Sequence, residues 1–248
     1  MDIKESALYL HLPFIRNHYE EAAKEAHLKD LSYEEFLEEL LSQEAEIRFT
    51  NGVNKRIKTS KFPYKITMND YKRDHLSIEV KTKIKEVETL EFIKNGENII
   101  LVGNPGTGKT ALAIALGIKA CFESKSVLFI SVPDLLLKIR EAMSRNQVTS
   151  FKRKFESYDL VILDELGYCS FDKERGEILF NLLSSRSQTK SLIITSNLTL
   201  DKWDEVFKDK VLTAAIIDRL ANKAHLIDMT GESYRIKQTK EWMERTHE

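Results

Sequence analysis

Cysteine is nearly missing from this chain of 248 residues: only Cys121 and Cys169 occur. Two thiols cannot build a disulfide framework, so nothing points to an oxidising compartment. Proline is scarce at four residues and glycine at nine. So few breakers predict a helix-rich chain with few loops. Charge of one sign is also absent. Lys and Arg total 38 and Asp and Glu 39, a net charge of −1. That balance excludes a uniformly basic nucleic-acid binder and an acidic solvating tail, though not local patches of either sign. No apolar run approaches the roughly 18–20 residues that span a bilayer. The opening MDIKESALYLHLPF has neither the basic start nor the long apolar stretch of a signal peptide. The expectation is a soluble cytoplasmic protein with no membrane partner. What is present is 42% hydrophobic residues, enough for a sizeable core.

Residues 5–48 predict two helices. Leu8, Leu12 and Ile15 recur at helical spacing in the first, with Pro13 interrupting it early. In the second, Ser32 and Glu35 have the spacing of a capping box, and Phe36, Leu37, Leu40 and Leu41 form an apolar stripe. Ten acidic and two basic residues lie between Glu20 and Glu46. The sign then reverses at Arg48, Lys55, Arg56, Lys58, Lys61 and Lys65, and Asn51-Gly52 and Phe62-Pro63 mark breaks. This predicts an N-terminal helical module with a basic linker over 1–65 and a main domain over 66–248. In the main domain, strands at 99–102, 127–131, 160–163, 192–196 and, more weakly, 225–228 alternate with helices near 76–94, 109–124, 133–144, 173–187 and 211–222. Alternating units of this kind predict an α/β fold with a parallel sheet covered on both faces.

Gly103-Asn104-Pro105-Gly106-Thr107-Gly108-Lys109-Thr110 satisfies G-x-x-x-x-G-K-[ST] between a predicted strand and a helix that continues with Ala111. The glycines permit backbone angles and close approach that a Cβ blocks. The loop N–H groups and the positive end of the helix then converge on phosphate oxygens. Lys109 is the point charge for the β- and γ-phosphates, and Thr110 offers a hydroxyl to Mg²⁺. The spacing does not fit G-x-G-x-x-G, which disfavours a nicotinamide cofactor. Further on, the apolar run 160–163 ends in Asp164-Glu165. Asp164 is placed to hold Mg²⁺ through water, and Glu165 to act as general base on the attacking water. Asn197 closes the strand at 192–196, where its amide meets the γ-phosphate or that water.

GNPGTGKTALA, LVILDELGY, LIITSNL, AAIIDRL and HLIDMTGESYR occur in the order and spacing of the IstB-type ATPases, and the chain resembles them along nearly its whole length. These are AAA+ helpers of insertion-sequence transposition, similar to the DnaC/DnaI helicase loaders. The resemblance implies a P-loop NTPase of the AAA+ class: a three-layer core on a parallel five-stranded sheet, behind a small N-terminal helical module and without a full AAA+ lid. It implies ATP and Mg²⁺ as ligands and ATP hydrolysis stimulated by DNA. It makes Asn197 a sensor-1 residue, Arg219 an arginine finger acting on a neighbouring copy's ATP, and Arg235 a sensor-2-type contact to the nucleotide. Its implied partners are further copies of the chain in an ATP-dependent oligomer, double-stranded DNA, and a transposase. A helicase loader binding single-stranded DNA is the alternative, and a non-hydrolysing adaptor a third class.

In the initiator/loader AAA+ group the region after the second strand carries an extra helix facing a central channel. Lys138, Arg140, Arg145, Lys152, Arg153 and Lys154 would supply phosphate contacts there, with Lys55, Arg56 and Lys58 of the basic linker as a second candidate. Both stretches also read as ordinary solvated faces, and the linker as a partner for the acidic helix. Arg186 is a further candidate for a polar interface. His11, His18, His27, His75 and His225 show no metal-ligand spacing. Cys121 and Cys169 read as buried thiols, and Trp203 and Trp242 as packing anchors.

Overall fold

The computed structural model describes residues 1–167, 171, 173–186, 189–231, 233–236, 239 and 243. Cys169 and Trp242 lie outside the described residues. Two compact units are present, Met1–Lys55 and Arg56–Glu248.

In the smaller unit, α1 (Ile3–Tyr9) begins with a capping box between Asp2 and Glu5. The chain turns through His11, at φ 55°, and Pro13 opens a separate helix, α2 (Pro13–Leu28). The expected single helix is therefore two. Proline lacks an N–H and suits the first helical position, so it starts a helix here instead of interrupting one. Leu12 at the N-cap offers no side-chain acceptor. Glu44 supplies it from α3 (Tyr33–Ser60), its Oε2 accepting from the N–H groups of Phe14 at 2.8 Å and Ile15 at 3.1 Å. The Ser32–Glu35 box forms as expected, with Ser32 N–H donating to Glu35 at 2.8 Å. Helix α3 runs unbroken through Asn51-Gly52, so the break expected there is absent. One glycine costs a helix only about 1 kcal/mol, which the turns on either side outweigh. The apolar core of this unit is small: Ala7, Ile15 and Leu40, with Leu12, Phe14 and Phe36 against them.

The larger unit takes up the last turn of α3 and continues as α4 (Ile78–Glu88), α5 (Glu91–Asn95), β1 (Asn98–Val102), α6 (Lys109–Phe122), β2 (Val127–Ser131), α7 (Val132–Ser144), α8 (Val148–Ser157) and β3 (Leu160–Leu166). Then come α9 (Lys173–Arg186), β4 (Ser191–Ser196), α10 (Asp204–Phe207), α11 (Lys210–Ala221) and β5 (Ala224–Asp228). The strands form one parallel sheet in the order β2-β3-β4-β1-β5. Alternate residues of each strand feed opposite faces. Ile99, Leu101, Phe129, Ile162 and Ile193 pack under α4, α5 and α6. Ile100, Val102, Ile130, Val161, Leu163 and Ile194 pack under α7, α8, α9 and α11. The result is the expected three-layer core. Trp203, fully buried, belongs to the second layer, and Cys121 to the first. Helix α6 crosses the sheet closely at Gly117, where a Cβ would lie 2.8 Å from Ile162 and 2.9 Å from the Phe62 ring. Beyond β5 the chain returns over β1: Met229 N–H donates to Val102 O at 2.7 Å, and Tyr234 N–H to Gly106 O at 3.0 Å. Among the described residues no helix is long and apolar enough to cross a membrane.

Arg186 is fully buried at the end of α9, which corrects its reading as an interface residue. Its guanidinium donates to the carbonyls of Phe155 at 2.7 Å and Ser191 at 3.1 Å, and lies over the Phe155 ring. One side chain thus ties the end of α9 to a carbonyl of α8 and a carbonyl of β4. Burial pushes this guanidinium down to about 10, against the pull of Asp159 and Glu156.

Candidate nucleotide site

Strand β1 delivers the loop 103–108 onto the N-terminus of α6. Gly106 and Gly108 sit at φ 82° and 94°, in the left-handed region that glycine tolerates best. At Gly103 a Cβ would meet the Met229 carbonyl carbon at 2.6 Å, so the segment after β5 can pass only over a glycine. Asn104 Nδ2 reaches Gly231 O at 3.3 Å, a second tie between the loop and that returning segment. Thr107 is buried, its hydroxyl bonded to Asn104 O at 3.0 Å.

The Lys109 ammonium is 9% exposed and donates to Gly103 O at 2.7 Å and Asn104 O at 2.8 Å. Burial lowers its pKa, with the Asp164 charge working the other way. Its neighbour Thr110 donates its hydroxyl to Asp164 Oδ1 at 2.8 Å. Asp164 ends the straight part of β3, two strands from β1, and is 6% exposed. The same Oδ1 accepts from Thr195 Oγ1 of β4 at 2.6 Å. A buried carboxylate that accepts from the Thr110 and Thr195 hydroxyls is a hard oxygen donor of the kind Mg²⁺ takes. Glu165 is exposed and has φ 65°. Asn197 follows β4 with Oδ1 buried and without a partner among the described residues. That atom lies 2.4 Å from where a Cβ on Gly167 would be, so the turn after Glu165 and the Asn197 amide are in close contact.

Facing the loop is a cavity of about 410 Å³ lined by Tyr64, Tyr71, His75, Lys109, Tyr234 and Arg235, among others. The wall opposite the glycines is aromatic. His75 stacks on Tyr234 with centroids 4.8 Å apart, and its Nε2 lies 3.3 Å from Thr107 O. A carbonyl only accepts, so Nε2 carries a proton, and Nδ1 is buried without a partner among the described residues. The Tyr71 hydroxyl is also buried without a partner among the described residues, and burial pushes its pKa up. Burial raises Tyr64 as well, helped by Asp164 and opposed by Arg235. None of these aromatic residues was an expected site residue. Their signal in the sequence is weak: tyrosines and a histidine scattered over 64–75, and one tyrosine before Arg235.

The cavity thus gathers Gly106, Gly108, Lys109, Thr110, Ala111 and Arg235. Arg219 is elsewhere, exposed in the last turn of α11. Of the expected DNA contacts, Lys138, Arg145 and Lys154 line, with Lys61, a second cavity of about 430 Å³ floored by Leu128, Ile130, Phe151 and Phe155. Burial lowers the Lys138 pKa, and the nearby Lys61 and Lys154 lower it further against Asp134 and Glu141. Arg140 and Arg153 are exposed on α7 and α8, while Lys152 lies 3.8 Å from Glu156. Lys55 and Lys58 are exposed on α3. Arg56 is half-buried, its Nε donating to Cys121 O at 2.8 Å.

The family model described as IstB-like ATP binding protein matches residues 6–242. The chain is 34% identical over 229 residues to the insertion sequence IS21 ATP-binding protein of Pseudomonas aeruginosa, covering 92% of this chain and 86% of that one. It is 33% identical over 236 residues to the IS5376 counterpart of Geobacillus stearothermophilus, covering 95% and 94%. Among solved structures it is similar to DnaI at a TM-score of 0.57, with 20% identity over 66% of this chain and 90% of that one. For the DnaC helicase loader the TM-score is 0.53, with 20% identity over 73% and 98%. At these identities the solved structures speak to the fold, that of an AAA+ P-loop NTPase.

Proposed function

We propose, from the premise that this chain belongs to the IstB-like ATP-binding protein family, that it is a DNA-stimulated ATPase assisting transposition. The observation that carries this reading is the 2.8 Å bond between Thr110 and Asp164, which joins the phosphate loop to the acid pair across two strands. ATP lies with its phosphates on the loop and its base toward Tyr64, Tyr71 and His75. Lys109 leaves its own loop's carbonyls for the β- and γ-phosphate oxygens. Thr110 and Asp164 would hold Mg²⁺, which when bound would supply charge neutralisation to the phosphates. Glu165 takes a proton from water as its oxygen attacks the γ-phosphorus, and the bond to the β–γ bridging oxygen breaks. Asn197 orients that water through its amide. Arg235 meets the nucleotide from the same side, and Arg219 of a neighbouring copy completes the charge at the γ-phosphate.

On this reading ATP bridges adjacent copies, and the oligomer assembles on duplex DNA and remodels it. Phosphates of the duplex meet the basic face around Lys138, Arg145 and Lys154, with Arg140, Lys152 and Arg153 beside it and Lys55, Arg56 and Lys58 as a second surface. Such contacts give salt-dependent affinity without base reading. The assembly recruits or activates a transposase, and hydrolysis takes it apart.

The test is a size measurement with duplex or single-stranded DNA, for the wild type and Glu165→Gln. With ATP and duplex, a large complex is expected that decays as phosphate is released in the wild type and persists in the variant. A chain that stays monomeric with duplex and a slowly cleaved ATP analogue overturns the reading. A clear preference for single strands replaces it with a helicase loader.

A further inference from the structure

The ladder between β3 and β4 slips at the acid pair. Leu163 pairs with Ile194, but the next pairing is Leu166 with Ser196. Asp164 and Glu165 therefore stand opposite a single residue, Thr195, which makes a β-bulge. The extra residue takes the left-handed conformation at φ 65°, which a side chain with a Cβ adopts rarely. A bulge also leaves a backbone group without its ladder partner. Here the Glu165 N–H finds one in the Thr195 hydroxyl, which accepts it at 3.0 Å. The same hydroxyl has one proton, and gives it to Asp164 Oδ1 at 2.6 Å. Thr195 is 2% exposed, so water does not stand in for it.

We infer that Thr195 is a positioning residue for hydrolysis at this site, an inference that rests on the ATPase reading above. One hydroxyl serves both acids at once. Its proton, together with that of Thr110, fixes the Asp164 carboxylate. Its lone pair holds the Glu165 backbone in the turned conformation from which the general base emerges. Valine, of nearly the same shape, does neither. It leaves a buried N–H unpaired and strips one donor from a buried carboxylate. Serine keeps both bonds.

The test compares Thr195→Val and Thr195→Ser with the wild type by DNA-stimulated ATPase kinetics, ATP affinity and residue-resolved amide exchange. In Thr195→Val, kcat is expected to fall about 10- to 100-fold, no more than the lower end of the roughly 10²–10⁴-fold that general-base catalysis supplies, because the base is misplaced and not removed. ATP affinity should stay within about threefold, because the loop is untouched, while serine restores turnover to within about threefold. The Glu165 amide should be protected in the wild type and the serine variant, and exchange at least tenfold faster in the valine variant. Valine turning over like the wild type overturns the inference. So does serine failing as badly as valine, which assigns the effect to the methyl group, or ATP affinity falling in step with kcat. An unprotected Glu165 amide in the wild type overturns it without any variant. If the wild type hydrolyses no ATP under any DNA condition, the ATPase reading fails, and the amide exchange still decides whether Thr195 holds the bulge.

Discussion

The two units of this chain solve the problem of buried polar groups in opposite ways. In Met1–Lys55 three helices share a core of a few side chains, and many large apolar groups stay exposed, among them Leu8, Tyr9, Leu37, Leu41 and Phe49. Order there leans on helix ends: Asp2 with Glu5, Ser32 with Glu35, and Glu44 on the bare N-terminus of α2. In Arg56–Glu248 two apolar layers cover a parallel sheet, and polar side chains are drawn inside, where they carry strands, loops and the site. The same kind of contact is therefore worth different amounts in the two places. The exposed caps at Asp2–Glu5 and Ser32–Glu35 are replaceable by water, whereas a bond inside the sheet is not; Glu44, 3% exposed, is the smaller unit's buried exception.

This contrast can be broken or sharpened by substitution. The largest effect is expected for Lys109→Ala. It removes the only charge that the loop itself carries toward phosphate, and ATP affinity should drop by about 100-fold or more in a titration with a fluorescent analogue. Next is Arg186→Ala, which orphans buried carbonyls and opens a void. Denaturant unfolding should show about 3 kcal/mol lost from the larger unit. Glu44→Ala removes a cap in the smaller unit, and about 1–2 kcal/mol is expected there, with ATP affinity unchanged. A Glu44 loss as large as that of Arg186 would erase the distinction between the units.

The smallest effect concerns acid. Partial burial alone would raise the Asp159 carboxyl, but Lys190, then the N–H and hydroxyl of Ser126, hold it down at about 2. A carboxyl whose folded pKa is depressed stabilises the fold above its unfolded value of about 3.9. That contribution is lost as the pH falls through about 2. Solvent reaches this pair, so it amounts to about 1 kcal/mol or less at neutral pH. Asp159→Asn should flatten the stability curve between about pH 4 and 2 and change little above.

Most of the larger unit was legible in the sequence, because its elements have clean periods. Five short apolar runs became five strands, β2 with the expected bounds, β1, β4 and β5 one residue longer and β3 three residues longer, and the glycine-rich loop lies where its spacing put it. The helix expected at 76–94 divides into α4 and α5 at Leu90, whose φ is 61°. A single leucine carries no signal for that turn. The smaller unit read less well because its local signals compete: Pro13 can end a helix or begin one, and Asn51-Gly52 can turn or be carried through. What could not be read at all were meetings between residues far apart in the chain. Thr195 finds Asp164 across 31 positions, Glu44 finds Phe14 across 30, and Arg186 finds Phe155 across 31. His75 and Tyr234 are farther apart still. Each of these residues is ordinary in its own neighbourhood, and only the packing gives it a role.

The returning segment after β5 is stitched to the glycine loop at Val102, Asn104 and Gly106. Loop and tail are thus one mechanical part. Whatever reshapes the loop must drag Tyr234 and Arg235 with it, so under the proposed function a phosphate on the loop would be felt at these two side chains without any separate lever.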